Sequence, residues 1–515
     1  MSDSAPVAVP VPRPLGRFEH GALTAAVMMG TLMQVLDTTI ANVALPHMQA
    51  SLGVTQETIN WVLTSYIVAS AIAIPITGWL ADKVGRKRLF VVSVVGFTIA
   101  SMLCAGAQNL PQMVLFRALQ GITGAFITPL AQAVLFDINP PSKHARAMAL
   151  FGGGIMIGPI LGPVLGGWLT ESFNWRWVFI VNLPVGILCT VMLLRFLPRT
   201  PTTKRRFDLF GFALLAVALG ALQMMLDRGA QLDWFDSWEI VIELGLAIGC
   251  GWMFVIHLTG SDTPLFAPRM FADRNFATSL VFMTVTGVLM LAGLALLPPL
   301  LQRLLGYSVL DSGFLTAPRG VGTLVSMLLA GRLVGRIDAR ALIFAGMALM
   351  GASLWMMTGF SLEMDSTPVI WSGVVQGLGL GLIFVPLQSL AFSNLDPAFR
   401  TVAASLFNLA RNLGGSIGIS LVTTLLARNI QTSHADLASQ VTPYSAEVDL
   451  TIVQRLGEAG DRGMAMIDAE INRQAAMIAY LDDFYIMMLV TLAALPLVLL
   501  LRKRRQVADV KMVLE

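Results

Sequence analysis

Charge is scarce in this chain. Only 13% of its 515 residues are Asp, Glu, Lys or Arg, against about a quarter in a soluble globular domain. With 56% apolar residues and a mean hydropathy of +0.73, an ordinary water-soluble domain is excluded and an integral membrane protein is expected. Runs that alternate polar with apolar residues are also missing, which argues against an outer-membrane barrel and for a helical bundle. Cysteine is nearly absent. Cys104, Cys189 and Cys250 each lie within an apolar run, and an odd trio in such places reads as small buried hydrophobes, with no disulfide or metal site. The five histidines, His20, His47, His144, His257 and His434, fall near span ends or in loops, where solvated or capping roles are expected. There is no nucleotide loop, metal cluster or nucleophile constellation, so no enzyme activity, catalytic residue, metal or cofactor is expected. The net charge of +3 resides in loops beside apolar runs and implies no nucleic-acid partner.

What is present is a succession of apolar windows of about 20 residues, the length that crosses a bilayer. They number roughly fourteen, from about Gly21–Pro46 to about Leu481–Leu501. Basic residues cluster on one side: Lys83 to Arg88, Lys143 and Arg146, Arg199 to Arg206, Arg269 and Arg274, Arg332 to Arg340, and Arg502 to Arg505. By the positive-inside rule that side is cytoplasmic, both termini lie there, and the span count is even. Met1–Gly16 is polar and proline-rich, without a visible cleavable signal, and is expected to be disordered.

The chain repeats itself. Leu119-Gln-Gly-Ile-Thr-Gly-Ala125, followed by Pro129 and Asp137, returns as Val375-Gln-Gly-Leu-Gly-Leu-Gly381, followed by Pro386 and Asp396. Gly78-Trp-Leu80 returns as Gly331-Arg-Leu333. The expected organisation is therefore a tail over 1–20, a six-helix half over 21–198, two inserted helices over 199–274, a second six-helix half over 275–501, and a basic tail over 502–515. Duplicated halves suggest a secondary transporter with a midplane site between them. Arg428–Tyr480 is a long polar segment on the outer side. It is expected to be functional or disordered, with helical spacing of apolar residues from about Val448 to Ala479.

One carboxylate stands inside the first span. Asp37 lies in Thr31-Leu-Met-Gln-Val-Leu-Asp-Thr-Thr-Ile-Ala-Asn-Val-Ala-Leu-Pro46. Inserting such a charge costs about 2.5–3.5 kcal/mol, so it must face the bundle interior or a watery cavity, and find a partner or take a proton. It is a candidate proton carrier, or an acid that only binds a neighbouring helix. Arg117, in Leu115-Phe-Arg-Ala-Leu-Gln-Gly121, lies within about one turn of the same depth. At contact an acid–arginine attraction is about 4 kcal/mol for an effective dielectric near 20, enough to offset the insertion cost. A pair, direct or through water, is expected, for proton coupling or for structure alone.

Three further motifs stand out. Gly78-Trp-Leu-Ala-Asp-Lys-Val-Gly-Arg-Lys-Arg88 is a turn with ordered acid and base at Asp82, Gly85 and Arg86, beyond what a topogenic charge needs. It resembles the signature loop of the major facilitator superfamily, and the resemblance implies that Asp82 and Arg86 gate the cytoplasmic ends of the halves. In the second copy Gly335 stands where the acid would be. Gly154, Gly158, Gly162 and Gly166 form a four-spaced stripe, bent by Pro159 and Pro163. This resembles the antiporter signature of that superfamily's drug exporters. Asp37-Thr-Thr-Ile-Ala-Asn-Val-Ala-Leu-Pro46, Ala221-Leu-Gln-Met-Met-Leu-Asp-Arg-Gly229 and Arg411-Asn-Leu-Gly-Gly-Ser-Ile-Gly418 resemble motifs of the fourteen-span drug–proton antiporters. The long outer segment narrows the resemblance to EmrB-like exporters of the bacterial inner membrane.

That resemblance implies an all-α major facilitator fold and drug–proton antiport of hydrophobic compounds. The driving force would be the proton motive force, with no cofactor. The implied partners are protons, lipids, a periplasmic adaptor and an outer-membrane channel, and Arg117 is implied in proton transfer. Alternatives left open are a nutrient or metabolite transporter of the same fold and an exporter acting alone. Polar and apolar span residues that could line a substrate pocket are Gln34, Asn42, Gln120, Phe126, Gln223, Phe384, Gln388, Asn408 and Arg411. The amides could equally join helix to helix, and Arg411 could bind an anion, a carbonyl or an acid elsewhere. Arg319, after Pro318, reads as structural.

Overall fold

The computed structural model describes residues 16–140, 143–200, 202, 206–393, 395–440 and 461–502. Most of the basic residues used for orientation fall within these, but Lys204, Arg205 and Lys503 to Arg505 lie outside them.

In lipid every backbone N–H and C=O must be satisfied within the segment, so an apolar run becomes a helix. Fourteen helices among the described residues are long and apolar enough to cross a bilayer. In the first half these are α1 (Arg17–Leu52), α2 (Trp61–Val84), α3 (Arg86–Ala105), α4 (Leu110–Ile138), α5 (His144–Ser172) and α6 (Trp177–Phe196). The insert is α7 (Leu209–Gln231) and α8 (Trp238–Gly260). The second half is α9 (Arg274–Leu304), α10 (Val309–Leu333), α11 (Ala339–Met357), α12 (Thr367–Ala391), α13 (Arg400–Gln440) and α14 (Arg462–Leu500). Some starts carry side-chain caps: Asn109 accepts the Gln112 N–H at 3.0 Å ahead of α4, and Ser308 accepts the Asp311 N–H at 3.0 Å ahead of α10.

The sequence repeat is also a packing repeat. In the first half α2 and α3 pack on α4, and α1 on α5; in the second α10 and α11 pack on α12, and α9 on α13. Across the seam α5 runs along α10, while α13 meets α4 and the basic end of α2. The insert does not stand apart: α7 packs on both α2 and α13. Its partner α8 is mostly lipid-facing, with 17% of its apolar window buried against 78% for α4.

Two expectations change. Arg428–Tyr480 is not a loop with one late helix. Helix α13 runs unbroken through Arg428 to Gln440, and the return helix is in place from Asp461. The expected helical stretch from Val448 to 460 lies outside the described residues. The second-half turn is also shorter than the first rather than merely lacking an acid. Gly85, with φ +91°, turns between α2 and α3, and Gly335, with φ +98°, turns between α10 and α11. Gly85 comes seven positions after Gly78, but Gly335 comes only four after Gly331. Gly335 is thus the left-handed turn residue itself, a conformation glycine adopts without steric cost.

Candidate functional site

Helix α1 has two working faces. One packs on the glycine stripe of α5: a methyl added to Gly154 would fall 2.4 Å from Met28 Cε, on Gly158 2.6 Å from Val35 Cγ1, and on Gly162 2.1 Å from Thr39 Oγ1. The stripe therefore sets the α1–α5 spacing, and both prolines, Pro159 and Pro163, sit within a continuous helix. The other face carries Asp37.

Asp37 is 2% exposed and Arg117 1% exposed. Arg117 Nη1 donates to Asp37 Oδ2 at 2.7 Å. The other carboxylate oxygen accepts from Gln120 Nε2 at 2.8 Å and from Asn182 Nδ2 at 2.7 Å. The guanidinium also donates to Gln120 Oε1 at 2.7 Å and, through Nε, to the Val62 carbonyl at 3.1 Å. It lies over the Tyr66 ring at 4.4 Å. Asn182 is held in turn by Ser101, whose hydroxyl donates to the Phe179 carbonyl at 2.9 Å. Helices α1, α2, α3, α4 and α6 thus meet at one carboxylate. A buried ion pair survives desolvation best when its remaining polar atoms are also bonded, and here both carboxylate oxygens and the guanidinium Nε and Nη1 are bonded. The pair is direct, and in this conformation it is closed within the first half.

Sequence reading did not single out Asn182, Tyr66 or Ser101. Asn182 is a lone amide in a strongly apolar span, a signal that was available. Val62 enters through a backbone carbonyl, which no side-chain pattern reveals.

On the basic side, Arg86 pairs with Asp137, and Arg400 Nη1 donates to the other Asp137 oxygen at 3.2 Å. Asp137 and Arg86 belong to the first half and Arg400 to the second, so this triad ties the halves together. The Arg86 N–H donates to Thr200 Oγ1 at 2.9 Å, which holds the Gly85 turn. One layer deeper Phe136 stacks on Phe392 at 4.6 Å, and Phe392 on Phe407 at 5.8 Å. Asn408 Nδ2 then donates to Gln132 Oε1 at 2.9 Å. A methyl on Gly78 would fall 2.2 Å from Val402 Cγ2. The halves are closed on each other at this end.

The remaining pocket candidates are distributed. Gln120 faces Asp37. Gln34 accepts from Thr128 Oγ1 at 2.8 Å, and Asn42 is exposed. Phe126 lines an apolar groove of about 640 Å³ between α2, α4 and α7, with Trp61, Ile72, Ile122 and Met224. Phe384 lies beside Gly152, where α5 meets α12. Gln223 Nε2 donates to Ser416 Oγ at 2.9 Å, joining α7 to α13. Gln388 is wholly buried, and neither of its amide atoms has a partner. Arg411 is half-buried, with Nη2 3.5 Å from Asn412 Oδ1. No cluster of His, Cys, Asp or Glu suited to a metal occurs among the described residues.

Duplicated six-helix bundles that meet at a seam are the build of a transporter rather than of an enzyme. The family model of the Major Facilitator Superfamily matches residues 27–419, and the chain belongs to that family. It is similar to the multidrug export protein EmrB of Escherichia coli K12, 35% identical over 478 residues, covering 92% of this chain and 93% of that one. It is also similar to the fatty acid resistance protein FarB of Neisseria gonorrhoeae, 37% identical over 486 residues, covering 92% and 95%. Among solved structures, the human organic anion transporter MFSD10 matches with a TM-score of 0.58 at 14% identity, covering 92% of this chain and 99% of that one. The proton:xylose symporter XylE matches with a TM-score of 0.57 at 13% identity, covering 94% and 97%. At those identities the likeness is one of fold. The chain is a multi-pass protein of the bacterial inner membrane.

Proposed function

We propose that this chain is a proton-driven exporter of hydrophobic compounds, with Asp37 as the proton-carrying group and Arg117 as the part that responds. The observation that carries the proposal is the sealed Asp37–Arg117 pair and its three amide contacts, in a transporter similar along most of its length to proteins named for multidrug export and fatty acid resistance. Cargo does not reach Asp37 in this conformation, so coupling runs through the helices. A proton on Asp37 removes the counter-charge of Arg117 and frees α1 from α4 and α6. The guanidinium keeps Val62 and Gln120, and the α1–α5 unit is released to move along the seam with α10. The closed triad at Asp137 belongs to the state open away from the basic, cytoplasmic side. One proton crossing the field supplies about 2.3 kcal/mol per 100 mV, sufficient to concentrate an uncharged compound.

The paired helices beyond Ala427 and before Tyr480 are the docking element for a periplasmic adaptor, which would hand cargo to an outer-membrane channel. His434 and Asp468 meet there at 2.8 Å, joining the two helices outside the apolar window.

The deciding measurement is export in proteoliposomes under an imposed pH gradient. Asp37→Asn is expected to reduce gradient-driven dye export to the level of empty vesicles. Full gradient-driven export by that variant would end the coupling role of Asp37.

A further inference from the structure

The second half contains a copy of the Asp37 site with its acid removed. Gln120 of the first half recurs as Gln376. The glycine after each marks the same helix crossing: a methyl on Gly121 would fall 2.4 Å from the Tyr66 carbonyl oxygen of α2, and one on Gly377 would fall 2.0 Å from the Arg319 carbonyl oxygen of α10. Arg319 therefore occupies the place of Tyr66. Gly373, three residues before Gln376 as Arg117 is before Gln120, leaves room for its side chain. Opposite Gln120 stands Asp37. Opposite Gln376 stands Gly293 of α9, where a methyl would be 3.6 Å from Gln376 Nε2 and 3.4 Å from Arg319 Nη1.

The polar groups left around that gap are unsatisfied. Arg319 is 7% exposed, and its Nη2 donates to the Met290 carbonyl at 3.1 Å. Its Nη1 is buried without a partner, as are both amide atoms of the wholly buried Gln376. Among the described residues no carboxylate makes an ion pair with Arg319. A purely structural arginine would bring its own counter-charge, because a buried cation is otherwise costly to hold.

We propose that Arg319 and Gln376 form an anion site at Gly293, taking a singly charged carboxylate or halide. Arg319 Nη1 and Gln376 Nε2 donate to the anion, and the absent side chain of Gly293 provides its space. The anion stands where Asp37 stands in the first half. If its source is cargo, the site deepens the exporter reading by selecting amphiphiles with an acidic head. If its source is solution, it is a bound chloride.

The test is calorimetric titration of the full-length chain in uncharged-lipid nanodiscs, in sulfate buffer. The probes are decanoate, sodium chloride, and decyltrimethylammonium as an equally hydrophobic cation. The variants are Gly293→Asp, which supplies the missing carboxylate from within, and Arg319→Gln, which removes the buried charge. Either substitution is expected to weaken anion binding by about tenfold or more, the worth of a charge-assisted hydrogen bond, while decyltrimethylammonium binds as before. Loss of decanoate binding identifies a cargo carboxylate, and loss of chloride binding alone identifies a solution ion. Anion affinities within about twofold of the parent in both variants, or equal losses for both ten-carbon tails, would overturn the site. Binding is read without transport, so a failure here is distinct from a failure of proton coupling, which Asp37→Asn export reports.

Discussion

At the residue scale the central fact is how completely Asp37 is bonded. Its two oxygens accept from Arg117, Gln120 and Asn182, and no water is needed to complete the set. Breaking one side of such a pair leaves an uncompensated buried charge, which costs about 3–5 kcal/mol. Replacing both members costs much less. Asp37→Asn is therefore expected to lower the thermal unfolding temperature in detergent, and Asp37→Asn combined with Arg117→Gln to restore most of it. Export is expected to be absent in both. A double variant no more stable than the single one would mean that the cluster is held by packing around Tyr66 and Phe179 rather than by charge. The residues legible in advance were those whose type is anomalous for lipid, Asp37 and Arg117. The amides were legible only as a class. Gln120 and Gln34 both looked like pocket candidates, yet Gln120 bonds the carboxylate and Gln34 a threonine, a difference set by helix rotation.

At the scale of elements, closure at the basic end depends on how α4 and α13 meet. Asp137 accepts from Arg86 and Arg400, and each partner is only partly buried, with side-chain exposures of 14% and 18%. Such pairs are individually worth about 0.2–1 kcal/mol. The aromatic layer of Phe136, Phe392 and Phe407 carries the rest of the seal. Arg400→Ala is accordingly expected to shift the balance of open and closed states by no more than about fivefold. Spin labels at Lys143 and Arg336 on the basic side should report a larger long-distance population. An unchanged distance distribution would show that the triad does not hold the halves. The gating reading of Gly78–Arg88 pointed to Asp82 and Arg86 as the contact between halves. Arg86 reaches the seam through Asp137, which pairs across it with Arg400; the repeat marked Asp137, and nothing in it marked Arg400.

At the scale of the molecule, α7 joins the halves away from the basic end. Its Asp227 accepts from Thr64 of α2, and its Gln223 bonds Ser416 of α13. Trp234, just beyond it, donates to Thr424 at 3.1 Å. The insert is thus part of the seam rather than an appendage. Beyond the apolar window, α13 and α14 continue as a pair carrying polar contacts, Arg473 with Glu470 among them at 2.8 Å. If that pair is a docking element, excising residues 430–476 should abolish capture of the adaptor while leaving proteoliposome export intact. Adaptor capture undiminished by the excision would place docking elsewhere.

By itself the sequence determined the material and the plan. Hydropathy and the basic loops specified a helical membrane bundle, because a bilayer tolerates no unpaired backbone and few charges. The repeated Gln-Gly steps specified two matched halves, and the glycine stripe specified a close helix contact. These are properties of period and composition, which are local. Only the tertiary structure decided which helix each polar group faces. Rotation of a helix by one residue, about 100°, moves a side chain from one neighbour to another, and that rotation is set by packing across several elements. For that reason Asn182 reaches Asp37, α13 continues through Arg428, and Arg319, which reads in the sequence as one more structural arginine, stands beside a gap where the other half keeps its acid.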